Sequence, residues 1–386
     1  MGEIKIATIT CHDCYNFGAS LQAYALKHYL EEQGHDVRII HYKPDYLSNH
    51  FRLGHIANSK FDRPIIKQIY LLAKLPGRLK SFSRKHAFDR FTNKYLHLTR
   101  RYKSYEELKA DPPEADLYIA GSDQIWNTLF NNGRDAAFYL NFGNRSTKRI
   151  SYAASFATAD IVPDYRNFVK SELKNLDSIS IREKISLPLL ASLGRNGKAV
   201  CDPVLLLDNE EWNNLLEENP LSKKIKEAAK DPYLLLYPTD HSELMDMIAL
   251  KIQKQTGWTI ISVGQIKTNA ANIKISDAGP IDFLHLIKES CFVISNSFHA
   301  TVFSLIFEKR FCTVNRKEGI NERMRSILQE FGLQSRLVSD FDKQLLDPIN
   351  FNEVRTNIEK SVEESKSWLQ DEVSSLTSNL LIRRYN

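Results

Sequence analysis

The sequence contains few cysteines and no long apolar run. Five of its 386 residues are cysteine, an odd number too small for a disulfide framework, so we expect reduced thiols. No run of about 18 or more consecutive apolar residues occurs, and no transmembrane helix is therefore predicted. The opening MGEIKIATIT lacks the basic and apolar regions of a standard secretory signal. Together these absences favour a cytoplasmic protein.

Several familiar catalytic motifs are also missing. The sequence has no G-x-S-x-G nucleophile elbow, no P-loop and no H-E-x-x-H zinc motif. The loop after the first predicted strand lacks the full G-x-G-x-x-G spacing, so a dinucleotide is not favoured. Cys11 and Cys14 form one ligand pair without a second, which makes a redox or metal site the weaker interpretation of that loop. We predict no metal site and no bound cofactor.

Charge is nearly balanced overall but unevenly distributed. The formal net charge is +5, yet residues 78–103 are densely basic and contain Asp89 as their one acid. Such a stretch is either a solvated helix face or a surface that attracts anionic lipid headgroups or an anionic carrier, which would bring the protein to a membrane as a peripheral contact. No helix-turn-helix, zinc or aromatic stacking motif accompanies it, so we do not expect a nucleic-acid partner.

The chain length and the order of its predicted elements indicate two α/β domains. A chain of 386 residues exceeds one ordinary core. Residues 4–10 predict a strand, residues 19–33 a helix with apolar residues at helical spacing, and residues 37–41 a second strand. A strand, a helix and a strand in succession imply a parallel sheet, because the crossover must return over one face.

The same alternation continues along the chain. Residues 44–112 are polar, basic and aromatic, and we predict that they form a helical insertion. Further strands are predicted at 116–120, 149–153, 178–181, 233–237, 258–263, 291–295 and 311–314, with helices at 164–175, 242–255, 281–289 and from 299. The predicted fold class is α/β, with two Rossmann-like domains whose parallel sheets face a cleft. The predicted domains are residues 1–190 and 191–350, with 351–386 as a helix packing back across both.

Three loops follow predicted strands at the edge where open parallel sheets bind ligands. In the first, residues 11–19, Gly18 permits close backbone approach and the next helix presents free N–H groups. Asn16 and Gln22 offer side-chain hydrogen bonds there. The alternative is a plain helix start capped by Asn16. In the second loop, residues 121–127, Ser122 and Asp123 suit hydroxyl-rich or anionic groups, unless Asp123 is only a helix N-cap.

The third loop carries the strongest catalytic candidate. After the strand CFVIS, Ser297 and His299 fall at the start of a helix whose dipole favours anions. A histidine there can carry a proton in either direction near neutral pH, although a lone histidine is more often structural. The basic residues that follow add positive charge near the same edge: Arg316, Lys317, Arg323 and Arg325.

Five segments in order identify a family. The segments NFGASLQAYAL, YIAGSDQIWN, SISIREK, CDPVLLL and SNSFHATVFSLIFEKRF resemble the polysaccharide pyruvyl transferase family, with similarity from about residue 5 to 335. The resemblance implies a fold similar to GT-B glycosyltransferases. It also implies an enzyme that moves the pyruvyl group of phosphoenolpyruvate onto two hydroxyls of a sugar as a ketal and releases phosphate. Phosphoenolpyruvate is then a donor substrate, and the partner is a saccharide acceptor, free or lipid-linked.

The resemblance also suggests roles for individual residues. His299 matches the histidine of the family and is the expected catalytic residue; Arg182, Lys317 and Ser297 are expected to bind the donor. The expected acceptor side comprises Asn16, Gly18, Gln22, Ser122 and Asp123. Many members carry Arg-Leu-His where this chain has Ser-Phe-His at 297–299, and Arg182 has an alternative role as an ion-pair partner of Glu183.

Two other functions compete with pyruvyl transfer. One is a GT-B glycosyltransferase that uses a nucleotide sugar, although the sequence shows no clear base-stacking pocket. The other is a non-catalytic family member that binds glycans, which the missing arginine two residues before His299 keeps open. The joint presence of His299, Arg182 and Lys317 argues against that second alternative.

Overall fold

The computed structural model describes residues 3–47, 68, 82–316 and 321–385. Within these residues the strands form two sheets, one of seven and one of six strands, and every pair within them is parallel. Helices connect the strands, as parallel crossovers require. The predicted α/β class with two Rossmann-like sheets is confirmed.

The first sheet has the strand order β3-β2-β1-β4-β5-β6-β7. Its strands are β1 (Lys5–Ile9), β2 (Asp36–Tyr42), β3 (Leu98–Tyr102), β4 (Leu117–Ala120), β5 (Lys148–Ala154), β6 (Ser178–Ile181) and β7 (Lys198–Ala199). The accompanying helices are α1 (Phe17–Glu32), α2 (residues 82–95), α3 (Tyr105–Ala110), α4 (Arg166–Glu172) and α5 (Leu187–Ser192). The central strand β4 is buried at every residue because helices cover both faces of the sheet.

The second sheet has the order β10-β9-β8-β11-β12-β13. Its strands are β8 (Tyr233–Tyr237), β9 (Thr259–Val263), β10 (Ile273–Ile275), β11 (Phe292–Ser295), β12 (Phe311–Val314) and β13 (Leu337–Val338). Its helices are α6 (Asn209–Glu217), α7 (Lys223–Ala228), α8 (Glu243–Thr256), α9 (Pro280–Glu289), α10 (Phe298–Ile306) and α11 (Glu322–Glu330). The strand order reverses between β1 and β4 in the first sheet and between β8 and β11 in the second, and ligands bind at such reversals.

The predicted helical insertion at residues 44–112 is wrong in part. The described portion contains helix α2, but Leu98–Tyr102 forms β3, which pairs with β2 at Leu98 and Ile39. This strand lies at the edge of the sheet and exposes Arg100 and Arg101, so it lacks the apolar pattern by which strands are recognised. Residues 48–67 and 69–81 of the predicted insertion lie outside the described residues.

An apolar interface joins the two sheet-bearing halves. Phe17 on α1 stacks on Phe283 on α9, with ring centroids 4.5 Å apart. On the same side, Trp212 on α6 lies 5.7 Å from Tyr24 and 5.0 Å from Phe303 on α10, measured between ring centroids. Helix α1 is buried along most of its length by these contacts. The halves therefore meet through a continuous core beside the predicted cleft.

The chain ends in α12 (Phe351–Tyr385), which contacts both halves. Its Glu372 pairs with Lys148 on β5 at 2.7 Å, and its Arg355 pairs with Glu308 just after α10 at 2.5 Å. The domain limits at residues 190 and 350 stay predictions; β7 at Lys198–Ala199 still belongs to the first sheet. No helix in the described part of the chain has both the length and the apolarity needed to cross a bilayer.

Candidate active site

His299 lies where the two halves touch. The loop after β11 brings Ser297 to the N-cap of α10, where its side chain accepts a hydrogen bond from the backbone N–H of Ala300 at 3.5 Å, and His299 follows in the first turn. The imidazole packs directly on Gly18 of α1: a methyl group added at Gly18 would lie 2.0 Å from Nδ1 of His299. Glycine at this position therefore lets a side chain from the second half contact the first helix.

Asp202 is the acidic partner of His299. Its Oδ2 lies 3.4 Å from Nε2 of His299 and accepts hydrogen bonds from Arg182 Nη1 at 2.8 Å and from Ser122 Oγ at 3.2 Å. Burial alone would raise the pKa of Asp202, but the charges and hydrogen bonds of His299 and Arg182 hold that pKa well below its usual range. Nε2 of His299 makes no hydrogen bond to the described residues, and Asp202 Oδ2 lies 3.4 Å from it. Because a carboxylate only accepts, a proton on Nε2 suits this neighbour and leaves Nδ1 for chemistry.

Sequence reasoning missed Asp202 as a site residue. It stands in the segment CDPVLLL, three residues after the short strand β7, and its side chain is 2% exposed. A carboxylate within an otherwise apolar run must be paired when it is buried, and that was the available signal. Its partners come from three distant segments, which a single sequence does not reveal.

Arg182 is held in place by carboxylates. It follows β6, and its Nε donates to Glu183 Oε1 at 3.0 Å while Nη1 donates to Asp202. Burial would lower the pKa of Arg182, but Glu183 and Asp202 raise it above its ordinary value. Its Nη2 is buried without a hydrogen-bond partner among the described residues. The expected ion pair with Glu183 thus coexists with a contact that fixes the partner of His299.

The predicted second loop joins the same network. Besides its bond to Asp202, Ser122 accepts a hydrogen bond from Thr10 Oγ1 through its carbonyl oxygen at 2.9 Å. Asp123 has a left-handed backbone with φ of 70°, and one of its oxygens lies 4.0 Å from Arg182 Nη1. It does not cap a helix; instead its carbonyl accepts from the N–H of Ser155 at 3.1 Å. Strained backbone of this kind is common in functional loops.

Other predicted residues have local partners or cannot be located. Asn16 caps α1, since its Oδ1 accepts from the Ala19 N–H at 3.2 Å. Gln22 donates to Thr10 Oγ1 at 2.9 Å, and its Oε1 is buried without a partner among the described residues. Gln22, Thr10 and Ser122 therefore link the first and second loops. Lys317 lies outside the described residues.

Buried thiols and one group with metal-ligand spacing occur in the described part of the chain. Burial raises the pKa of Cys14 to about 12 and that of Cys201 to about 11, so both thiols are protonated near neutral pH. Among the described residues, metal-ligand spacing occurs at His28, Glu32 and Glu211. That group begins ten residues beyond Gly18, which is about 15 Å along α1.

Comparison with protein families gave one match over this part of the chain. The family model described as polysaccharide pyruvyl transferase matches residues 16–318, a span that includes Arg182, Asp202 and His299. A search of curated protein sequences found no match.

One solved structure is similar enough in fold to be compared with this chain. UDP-N-acetylglucosamine 2-epimerase from Rickettsia bellii has 12% identity and a TM-score of 0.53, with 98% of each chain covered. The UDP-GlcNAc 2-epimerase of Neisseria meningitidis bound to UDP-GlcNAc has 9% identity and a TM-score of 0.49, with 93% of this chain and 98% of that chain covered. At such identity the first likeness concerns the fold alone, which is GT-B-like.

Proposed function

The chain belongs to the polysaccharide pyruvyl transferase family, and from this premise we propose that it transfers the pyruvyl group of phosphoenolpyruvate to a saccharide. The product is a cyclic ketal on two sugar hydroxyls, and inorganic phosphate is released. The observation that carries the proposal is the buried pair of Asp202 and His299 at the contact between the halves, with Arg182 beside it. It combines a proton carrier with a cation for an anionic donor.

The proposed reaction proceeds by addition of a proton and a sugar hydroxyl across the double bond, followed by one substitution at the same carbon. A proton adds to the methylene carbon of phosphoenolpyruvate, and the cation formed at the neighbouring carbon is attacked by the first sugar hydroxyl, which loses its proton. The bond from that carbon to the phosphate oxygen then breaks, and the second hydroxyl attacks and loses its proton. One of the two released protons replaces the proton given to the methylene carbon, and the other leaves with phosphate.

His299 is the proposed proton carrier. With a proton on Nε2, which lies 3.4 Å from Asp202 Oδ2, Nδ1 is the nitrogen proposed to give a proton to the methylene carbon and then to take one from the attacking hydroxyl. Asp202 holds the ring in this orientation and stabilises its charged form. The 3.4 Å separation is longer than an ideal hydrogen bond, as is common in unliganded catalytic sites. Positioned proton transfer of this kind contributes roughly 10²–10⁴ in rate.

The donor needs cationic contacts for its phosphate and carboxylate. Arg182 offers its unpaired Nη2, and α10 offers its N-terminus next to Ser297. Lys317 keeps its proposed donor role although its position is not described. On the acceptor side we propose the loops of the first half: Asn16, Gly18, Gln22, Ser122 and Asp123.

We further propose that the acceptor is reached at the cytoplasmic face of a membrane. Helix α2 exposes His86, Arg90 and Lys94 and buries Phe88 and Phe91, so its outer side is basic. Such a surface attracts anionic headgroups or an anionic carrier. Sedimentation with vesicles containing anionic lipid should retain the wild type and release an Arg90→Glu/Lys94→Glu variant; equal retention would remove this part of the proposal.

Turnover provides the test of the proposed reaction. Phosphate release from phosphoenolpyruvate is measured with a panel of saccharides, and the product is examined by mass spectrometry for an added pyruvyl ketal. His299→Ala should abolish saccharide-dependent release while the unrelated His28→Ala, on α1, keeps it. Full activity of a folded His299→Ala protein would rule out the central role of this residue. Transfer from a nucleotide sugar in the same panel would instead support the glycosyltransferase alternative.

A further inference from the structure

Arg84 is a buried arginine that touches both halves of the chain. It lies on α2, between β2 and β3 in sequence, and is 6% exposed. Its Nη2 donates to the carbonyl oxygen of Tyr15 in the first loop at 2.9 Å, and its Nη1 donates to the carbonyl oxygen of Ala278 at 3.4 Å. Ala278 stands two residues before α9 in the second half. One guanidinium group therefore connects the first loop to the other half.

The guanidinium group also lies on the aromatic contact between the halves. Its carbon is 4.6 Å from the ring centroid of Phe17 and from that of Phe88, and these two rings stack with centroids 5.3 Å apart. Phe17 in turn stacks on Phe283 of the second half. Arginine suits such aromatic faces because its charge is delocalised and weakly hydrated. Arg84 is thus held by two stacked rings, one of which packs on the second half.

Stability alone does not account for a cation at this place. Among the residues that the structure describes, no ion pair joins Arg84 to a carboxylate, and burial lowers the pKa of its guanidinium group. Desolvating a charge without a counter-charge opposes folding. Methionine would cover the same two rings without that cost. What arginine adds is a pair of donors for two carbonyl oxygens from different halves.

Helix α2 approaches the second half closely beside Arg84. A methyl group added at Gly279 would lie 2.9 Å from Cβ of Ala87, which is about one turn beyond Arg84 on α2. Because Gly279 has no side chain, α2 reaches the start of α9 at this point. The helix therefore packs directly beside the loop that carries Ala278, and Arg84 extends from this contact to the first loop.

The carbonyl group of Tyr15 belongs to a strained part of the first loop. Tyr15 has a left-handed backbone with φ of 54°, which residues other than glycine rarely adopt. The next residue, Asn16, caps α1, and Gly18, on which the imidazole of His299 packs, follows in the first turn. The hydrogen bond from Arg84 therefore stabilises the conformation that starts α1 and places Gly18 against His299.

We propose that Arg84 is a positioning residue for His299. By binding the carbonyl oxygens of Tyr15 and Ala278, it fixes the first loop against the second half and keeps Gly18 in contact with the imidazole. Its effect on turnover rests on the proposed function. Its effect on the place of the imidazole does not depend on any reaction.

Steady-state kinetics separate a positioning arginine from one that binds substrate. Arg84→Met should lower kcat roughly tenfold or more, since a displaced proton carrier slows the reaction steeply. Its KM for phosphoenolpyruvate should stay within about twofold of the wild-type value, because Arg84 is not a proposed donor contact. Arg84→Lys should recover part of kcat, since lysine can still donate to one carbonyl oxygen. Asn93→Met, at an exposed position of α2, is the matched control and should keep wild-type values.

Nuclear magnetic resonance observes the imidazole without any turnover. Full-length protein labelled with carbon-13 at histidine Cε1 gives one signal for each histidine, and the signal that His299→Ala removes belongs to His299. Arg84→Met should shift this signal, because the ring moves relative to its neighbours. Asn93→Met should leave the signal in place.

The two measurements distinguish failure of this proposal from failure of the proposed function. An unmoved His299 signal with wild-type kcat in Arg84→Met would overturn the role of Arg84 and leave the proposed reaction standing. If the wild type itself shows no turnover, a shifted signal still supports the positioning role and an unshifted one overturns it.

Two other results would also overturn the proposal. A raised KM for phosphoenolpyruvate with unchanged kcat in Arg84→Met would show that Arg84 contacts the donor. Loss of cooperative unfolding in both Arg84→Met and Arg84→Lys would show an arginine whose role is structural alone.

Discussion

Replacing Gly18 by alanine tests the contact between the halves at a single atom. The added methyl group would lie 2.0 Å from Nδ1 and 2.2 Å from Cγ of His299, closer than any stable contact, so the ring must leave its place. Inserting a methyl group into a packed site typically costs about 1–3 kcal/mol. Alanine is better than glycine inside a helix by about 1 kcal/mol, so the net loss of unfolding free energy should be about 0–2 kcal/mol.

Activity should suffer more than stability. Displacing the ring moves Nε2 away from Asp202 and Nδ1 away from the donor, and a misplacement of about 1 Å costs roughly 10²-fold in rate. The assay is phosphate release together with urea unfolding for wild type, Gly18→Ala, His299→Ala and the double variant. In the His299→Ala background the methyl group has room, so Gly18→Ala should then stabilise the protein. The reasoning is refuted if Gly18→Ala keeps full turnover, or has the same effect on stability in both backgrounds.

Three further perturbations follow from the same contacts. Asp202→Asn should lower turnover roughly 10²–10⁴-fold because the imidazole of His299 loses its charged partner. Folding lowers the pKa of Asp202, so wild type should also lose more unfolding free energy than this variant as pH falls below about 4. Phe283→Ala should remove about 3–5 kcal/mol of unfolding free energy by opening a cavity against Phe17, and a loss below 1 kcal/mol would contradict the described packing. Burial and neighbouring acids, Glu32 among them, raise the pKa of Glu211 to about 7. As pH rises from about 4 to 7, wild type should therefore lose stability relative to Glu211→Gln. Parallel curves of unfolding free energy against pH would refute this.

The location of the site was predictable from strand order. The first and second loops follow β1 and β4, and the third follows β11; these strands flank the points where the strand order of each sheet reverses. Parallel strands end at the same edge, so loops far apart in sequence come together there. The buried strands LYIA and YLLLY carried strong apolar patterns and were found for that reason.

The partners within the site were not predictable in the same way. Asp202 belongs to a segment between the two sheets, and only the folded chain brings it to Ser122, Arg182 and His299. Arg323 was noticed as one of several basic residues near an edge, yet its burial beside Phe298 is a tertiary property. The edge strand β3 was missed because its exposed arginines hide the alternation that marks a strand.

Thermal unfolding of the full chain with phosphoenolpyruvate, and in parallel with UDP-GlcNAc, tests the central claim most directly. A ligand at about 100 times its dissociation constant stabilises the folded state by roughly 2.7 kcal/mol, which a melting curve resolves. The account predicts a higher melting temperature with phosphoenolpyruvate, and loss of that shift in Arg182→Ala and His299→Ala proteins that remain folded. No shift with phosphoenolpyruvate, together with a clear shift with UDP-GlcNAc, would contradict it.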